Sequence, residues 1–121
     1  HIHEKPWGRE IVWAGHDSIH GKILYISAGA RTSLKYHKLK AETLFFVSGK
    51  AKVSFGAEGT FVDPVAWPMQ EKEFRSGDTL MVQSGCPYRI HAIEDCEVIE
   101  IGNHLGDTAI RIDDDYGRTK K

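Results

Sequence analysis

The chain has 121 residues, with 16 basic and 17 acidic side chains and a net charge of −1. This is enough for one domain with one core, spanning residues 1–121, and its mixed charges leave no basic stripe for nucleic acid. The longest apolar run, Leu44 to Val47, is the size of a strand and far short of a membrane span. No apolar h-region follows His1-Ile2-His3-Glu4-Lys5, so the chain reads as cytoplasmic and free of membranes. In that compartment Cys86 and Cys96 are expected as two free thiols rather than a disulfide.

Hydrophobic period two runs along most of the chain. It predicts strands, in order, at residues 10–14, 22–27, 33–37, 43–47, 51–55, 79–82, 88–92 and 97–101. Ala28-Gly29-Ala30, Ser48-Gly49-Lys50, Ser76-Gly77-Asp78 and Gln83-Ser84-Gly85 separate them as tight turns. Residues 56–74 hold Pro64, Trp67 and Pro68 among acids and read as a long loop or irregular hairpin. No sustained 3.6-residue stripe predicts a helix. The acidic run Asp113-Asp114-Asp115 reads as a solvated face or tail. Many short strands at this spacing imply an all-β sandwich or barrel.

The middle of the chain carries the most specific pattern. Gly29 is followed by five residues, then Lys35-Tyr36-His37, four residues, Glu42, six residues and Gly49. Residues two apart on a strand share a face, so Lys35 and His37 point into one space, and Glu42 joins them from the next strand with Leu44 and Phe46. An imidazole and a carboxylate that converge are two ligands of a divalent metal site.

Residues 29–49 resemble the first motif of the cupins, with Lys35 where the family has its first histidine. Residues 77–91 are similar to the second motif: Gly77 and Gly85 are kept, Gln83 stands for the proline and Tyr88 for the last histidine ligand. His91 lies three residues on. On a regular strand it faces away from Tyr88, and a bulge would be needed for both to point inward. The resemblance implies an antiparallel jelly-roll barrel, the double-stranded β-helix, with its chemistry in the lumen.

Lys5-Pro6-Trp7-Gly8-Arg9-Glu10 and Asp113-Asp114-Asp115-Tyr116-Gly117-Arg118 are similar to the flanks of the cupin domain in type II mannose-6-phosphate isomerases and related nucleotide-sugar proteins. That likeness implies aldose–ketose isomerisation of a sugar phosphate, in a homodimer paired through edge strands and an amino-terminal arm. His37, Glu42 and His91 are the metal candidates, for Zn, Mn, Fe or Ni, or for no metal at all. Lys35 and Tyr88 are the catalytic candidates, and Arg89 and Arg31 the substrate-binding ones. A lysine in the lumen loses hydration and becomes an anion anchor or a tuned acid/base. Two other readings stand beside this one: a sugar or nucleotide-sugar binding module without metal, favoured by Lys35, and a metal-dependent oxygenase, disfavoured by Tyr88.

Overall fold

Residues 1–104 and 106–117 are described in the structure, a computed structural model. The strands are β1 (Ile2–Lys5), β2 (Gly8–His16), β3 (Ile19–Ile26), β4 (Leu34–Tyr36), β5 (Glu42–Ser48), β6 (Lys50–Phe55), β7 (Gln70–Arg75), β8 (Thr79–Val82), β9 (Tyr88–Ala92), β10 (Cys96–Gly102) and β11 (Ile110–Asp113). The helical content of the described residues is one 3-10 turn, Glu58–Phe61. No helix among them is long and apolar enough to cross a membrane.

The strands form two antiparallel sheets. One has the order β1-β2-β3-β10-β5-β8 and the other β11-β4-β9-β6-β7. Their facing sides make one core. Leu24, Ile26, Leu44, Phe46 and Val98 come from the first sheet, and Ala51, Val53, Phe74, Ile90 and Ala92 from the second. Phe46 and Phe74 meet across the gap with ring centroids 5.2 Å apart, tilted by 44°. The alternation read from the sequence is visible in β5, where Glu42, Leu44 and Phe46 are buried while Thr43 and Phe45 face out.

All eight expected strands are present, and three more join them. β1 is exposed along most of its length and extends β2 as a hairpin. β7 buries only Phe74 and returns along β6, so residues 56–74 are an irregular hairpin. β11 pairs with β4 at the edge of the five-stranded sheet. None of the three has two faces of opposite polarity, which is the signal that period-two reading needs.

The turn at Gly49 shows why the first motif ends in glycine. Its φ is +91°, and a Cβ there would stand 2.2 Å from the Asp95 carbonyl oxygen. Cys86 and Cys96 are both free thiols.

The acidic carboxyl-terminal run is solvated, as expected, but it is no loose tail: Asp113 and Asp115 stay exposed while arginines hold them. Arg31 donates a two-pronged pair of hydrogen bonds to Asp115, at 2.6 and 2.7 Å. Buried Arg89 donates Nε to the Thr32 carbonyl at 2.8 Å and Nη1 to Asp113 at 3.0 Å. The two arginines clasp β11 and the residues after it against the barrel. Arg118, the last residue of the similar flank, lies outside the described residues.

Candidate active site

At one end of the barrel the inward positions turn polar around a cavity of about 250 Å³. β4 and the turn after it bring Lys35 and His37, β5 brings Glu42, and β9 brings Tyr88. The turn is held from outside: Asp107 accepts the Leu39 and Lys40 amides at 2.9 and 3.1 Å, and Asn103 accepts the Ala41 amide at 2.8 Å. The His37 carbonyl accepts the Gly85 amide at 2.6 Å, tying the first motif to the second.

Glu42 is the hub. Its Oε1 accepts the Tyr88 hydroxyl at 2.9 Å and lies 3.8 Å from His37 Nδ1. Its Oε2 lies 3.7 Å from His20 Nε2 and 4.0 Å from Lys40 Nζ. Burial, with Glu100 beside it, pushes the Glu42 carboxyl up to about 8. Burial also acts on Glu100, but His20, the bond to Glu42, and Lys22 and Lys35 outweigh it and hold that carboxyl well below the usual range. Of the pair, Glu42 carries the proton. Burial and then the charges of Lys40 and Lys35 lower His37 to about 4, so its ring is neutral at neutral pH. Desolvation, with the nearby acids Glu42 and Glu100, keeps Tyr88 protonated far above neutrality.

Lys35 does not form the short ion pair with Glu42 that would fill a metal position. Its ammonium stands 4.4 Å over the Tyr88 ring, where the π face offsets part of the desolvation that lowers its pKa. Lys22 reaches Glu10 at 3.4 Å on the cavity wall. Arg111 lies opposite Lys35 in the β11–β4 register, and its buried Nε has no hydrogen-bond acceptor among the described residues.

A group that sequence reasoning missed completes the floor. His20 on β3 is fully buried, and neither ring nitrogen is in a hydrogen bond with any described residue. Glu100 Oε2 is 3.0 Å from its Nε2 but out of line for a donated proton. Ligand atoms of His20, Glu42 and Glu100 all lie within 4.8 Å of one another. A neutral imidazole with two carboxylates is a donor set that fits a divalent cation. The orphaned ring nitrogens are what such a site leaves when only protein is considered.

Other expected site residues lie elsewhere. β9 runs without a bulge, so His91 is exposed on the outer side opposite Lys52 while Tyr88 is buried. His91 is therefore not among the groups around Glu42, and a metal set of His37, Glu42 and His91 does not assemble. Arg89 and Arg31 are not in the cavity either, because Arg89 alternates with Tyr88 and both arginines are spent on the clasp. The arginine that lines the cavity is Arg111.

A larger groove, of about 570 Å³, lies outside the barrel beside the β1–β2 hairpin. It has none of these convergent buried groups.

No family model matches the chain, and no curated protein matches it. Solved structures do. The oxalate decarboxylase of Lactobacillus farciminis, in a formate complex, superposes with a TM-score of 0.75 at 19% identity, over 93% of this chain and 33% of that one. An oxalate decarboxylase of Bacillus subtilis gives 0.77 at 17% identity, over 93% and 30%. KdgF from Halomonas sp. gives 0.70 at 16%, over 86% of both chains. The chain spans about a third of the length of the oxalate decarboxylases it matches. The architecture is that of the cupins, an antiparallel β-barrel with its polar site inside. At these identities the likeness concerns the fold.

Proposed function

We propose that the chain is an isomerase-like cupin. It would move a proton between the carbonyl carbon of a small anionic sugar and the carbon next to it, in the manner of the mannose-6-phosphate isomerases its flanks resemble. The observation that carries this reading is the grouping of His37, Tyr88 and Glu42 in a cavity that also holds Lys22, Lys35, Lys40 and Arg111. Cationic groups exceed the ionised acids there, so an anion is welcome. The volume lies below the roughly 300–1,000 Å³ of drug-sized sites and suits a monosaccharide phosphate better than a nucleotide sugar.

His20, Glu42 and Glu100 would hold a divalent ion, which when bound supplies polarisation of the substrate carbonyl. His37, neutral at neutral pH, accepts the proton from the carbon beside that carbonyl and returns it to the former carbonyl carbon, while the hydroxyl proton of the first carbon passes to the former carbonyl oxygen. A cation at Glu42 would push His37 further toward the neutral form, so this role does not depend on the ion being absent. Tyr88 donates a hydrogen bond with its protonated hydroxyl. Lys35 steadies the enediolate oxygen, and Arg111 Nε takes a phosphate oxygen in place of its missing acceptor.

Proton transfer of this kind exchanges the substrate hydrogen with solvent. In deuterated water, an aldose 6-phosphate should gain deuterium at C2 with the intact protein and divalent metal, as read by proton NMR. His37→Asn should slow that exchange by about 10²–10⁴-fold while leaving binding of the sugar phosphate in place. Binding without any exchange, across a panel of divalent metals, would support the non-catalytic sugar-binding module instead, the reading that Lys35 at a ligand position favours.

A further inference from the structure

The inner face of the five-stranded sheet sets three unlike side chains in one row. In the register of β11, β4 and β9, Arg111 lies opposite Lys35, and Lys35 lies opposite Tyr88. All three line the cavity, so the Lys35 amine has a guanidinium strand on one side and an aromatic face on the other. Like charges directly opposite each other on a sheet repel. A lysine can relieve that repulsion by giving up its proton; an arginine cannot.

Lys35 also differs from the other lysines of the cavity. Lys22 reaches Glu10 at 3.4 Å and Lys40 reaches Glu42 at 4.0 Å. Lys5 lines the outer groove as well as the cavity. Among the described residues, no carboxylate comes within 4.0 Å of the Lys35 amine. Burial favours its uncharged form, and the charges of Lys22 and Arg111 add to that; Glu42 and Glu100 pull the other way from beyond ion-pair distance. The side chain is half-buried and opens on the cavity, so a small molecule there can reach the nitrogen. A desolvated lysine beside other cations is the arrangement that makes an amine a nucleophile near neutral pH.

We propose that Lys35 captures the carbonyl of a small anionic aldehyde or ketone as an imine. The nitrogen lone pair forms a bond to the carbonyl carbon, and the π bond breaks onto oxygen. The two hydrogens of the amine pass to that oxygen, which leaves as water, so no oxidant or reductant takes part. Water adds back to release the carbonyl compound. Arg111, on the adjoining strand, holds the anionic end of the molecule, because its buried Nε has no acceptor among the described residues. The inference goes beyond the isomerase reading: it gives Lys35 a bond to carbon, and it needs neither the divalent ion nor proton transfer between carbons.

The test is reductive trapping on the full chain, stripped of metal by chelator, with glycolaldehyde phosphate as the probe. This phosphorylated aldehyde has no hydroxyl beside its carbonyl, so it cannot undergo aldose–ketose isomerisation. Cyanoborohydride turns an imine into a stable secondary amine, and peptide mass mapping locates it. Lys35 should be labelled at least about tenfold faster than the exposed Lys38 and Lys72, as a desolvated amine against solvated ones. Lys35→Arg keeps a cation in the row but cannot form the imine. It should lose the fast adduct and leave labelling of Lys38 and Lys72 unchanged, with thermal unfolding as the check on its fold. If that variant does not fold, the peptide map of the parent decides alone. A map in which Lys35 is unlabelled, or labelled no faster than Lys38 and Lys72, overturns the proposal, as does a fast adduct on a different lysine. Selective labelling of Lys35 without deuterium exchange at C2 of an aldose 6-phosphate would leave this inference standing while the isomerase reading fails. Exchange without a Lys35 adduct would do the reverse.

Discussion

The two ends of the barrel interior are built from the same strands, yet they do opposite things. Along β5 the inward positions change from Phe46 and Leu44 to Glu42, and along β10 from Cys96 and Val98 to Glu100. β3 changes from Ile26 and Leu24 to Lys22 and His20, and β9 from Ala92 and Ile90 to Tyr88. The pleat is unbroken across the boundary; only the side-chain chemistry changes. One end removes apolar surface from water and so holds the barrel together. The other buries acids and cations whose desolvation is only partly offset by their contacts, a cost that makes sense at a site awaiting a ligand. Stability and chemistry are thus separated along the barrel axis rather than between domains.

Substitutions at matched positions on one strand test that separation. Phe46→Ala removes a fully buried ring that packs against Phe74, and it should lower the unfolding free energy by about 3–5 kcal/mol, as read by denaturant titration. Equal stability in parent and variant would mean that the apolar end is not the structural one.

Two strand positions away from Leu44, Glu42→Gln should behave differently. In the metal-free protein Glu42 holds its proton at neutral pH, and glutamine resembles that neutral form while still accepting the Tyr88 hydroxyl. The stability change should therefore stay within about 1 kcal/mol. Binding of a divalent ion, measured by calorimetry on chelator-stripped protein, should be lost, because one of three ligands has become a weak neutral donor. A variant that unfolds readily, or one that binds metal like the parent, would erase the contrast with Phe46.

Much of this division is legible in the order of residues alone. Period two places Lys35, His37, Glu42 and Tyr88 on inward faces, and it places His91 and Arg89 on the side opposite Tyr88. The rest of the site comes from pairing that no local pattern encodes. His20 and Glu100 meet Glu42 because β10 lies between β3 and β5, a neighbourhood set by the crossovers of the barrel. A signal is nevertheless present. Glu100 interrupts the run Val98-Ile99-Glu100-Ile101, and His20-x-Lys22 continues the inward positions of Leu24 and Ile26. Charged groups in phase with an apolar face are the mark of a site. Arg111 leaves no such mark, because β11 has no two-sided pattern and becomes a strand only by lying along β4.

The clasp that holds β11 in place gives the smallest expected effect, and a pH dependence of definite sign. The hydrogen bonds from Arg31 hold the Asp115 carboxyl below its ordinary value, against the opposing effect of desolvation. A carboxyl depressed in the folded state releases its proton more readily there than in the unfolded chain. Its contribution to stability is therefore fully present above the unfolded value near 3.8 and is lost as pH falls through the lower folded value. Asp115→Asn removes that dependence, so the fall in melting temperature on acidification below pH ~4 should be shallower in the variant than in the parent. The two curves should run parallel between about pH 5 and pH 7, where the carboxylate is ionised in both states. Both partners sit near the surface, so the offset there should be small. Arg31→Ala should flatten the acid limb in the same way. It should leave the buried hydrogen bond from Arg89 to the Thr32 carbonyl in place, and with it the seat of Arg111 across from Lys35. If the acid limbs of parent and Asp115→Asn coincide, the Arg31–Asp115 half of the clasp contributes nothing in solution. The polar end of the barrel would then be closed by strand pairing and Arg89.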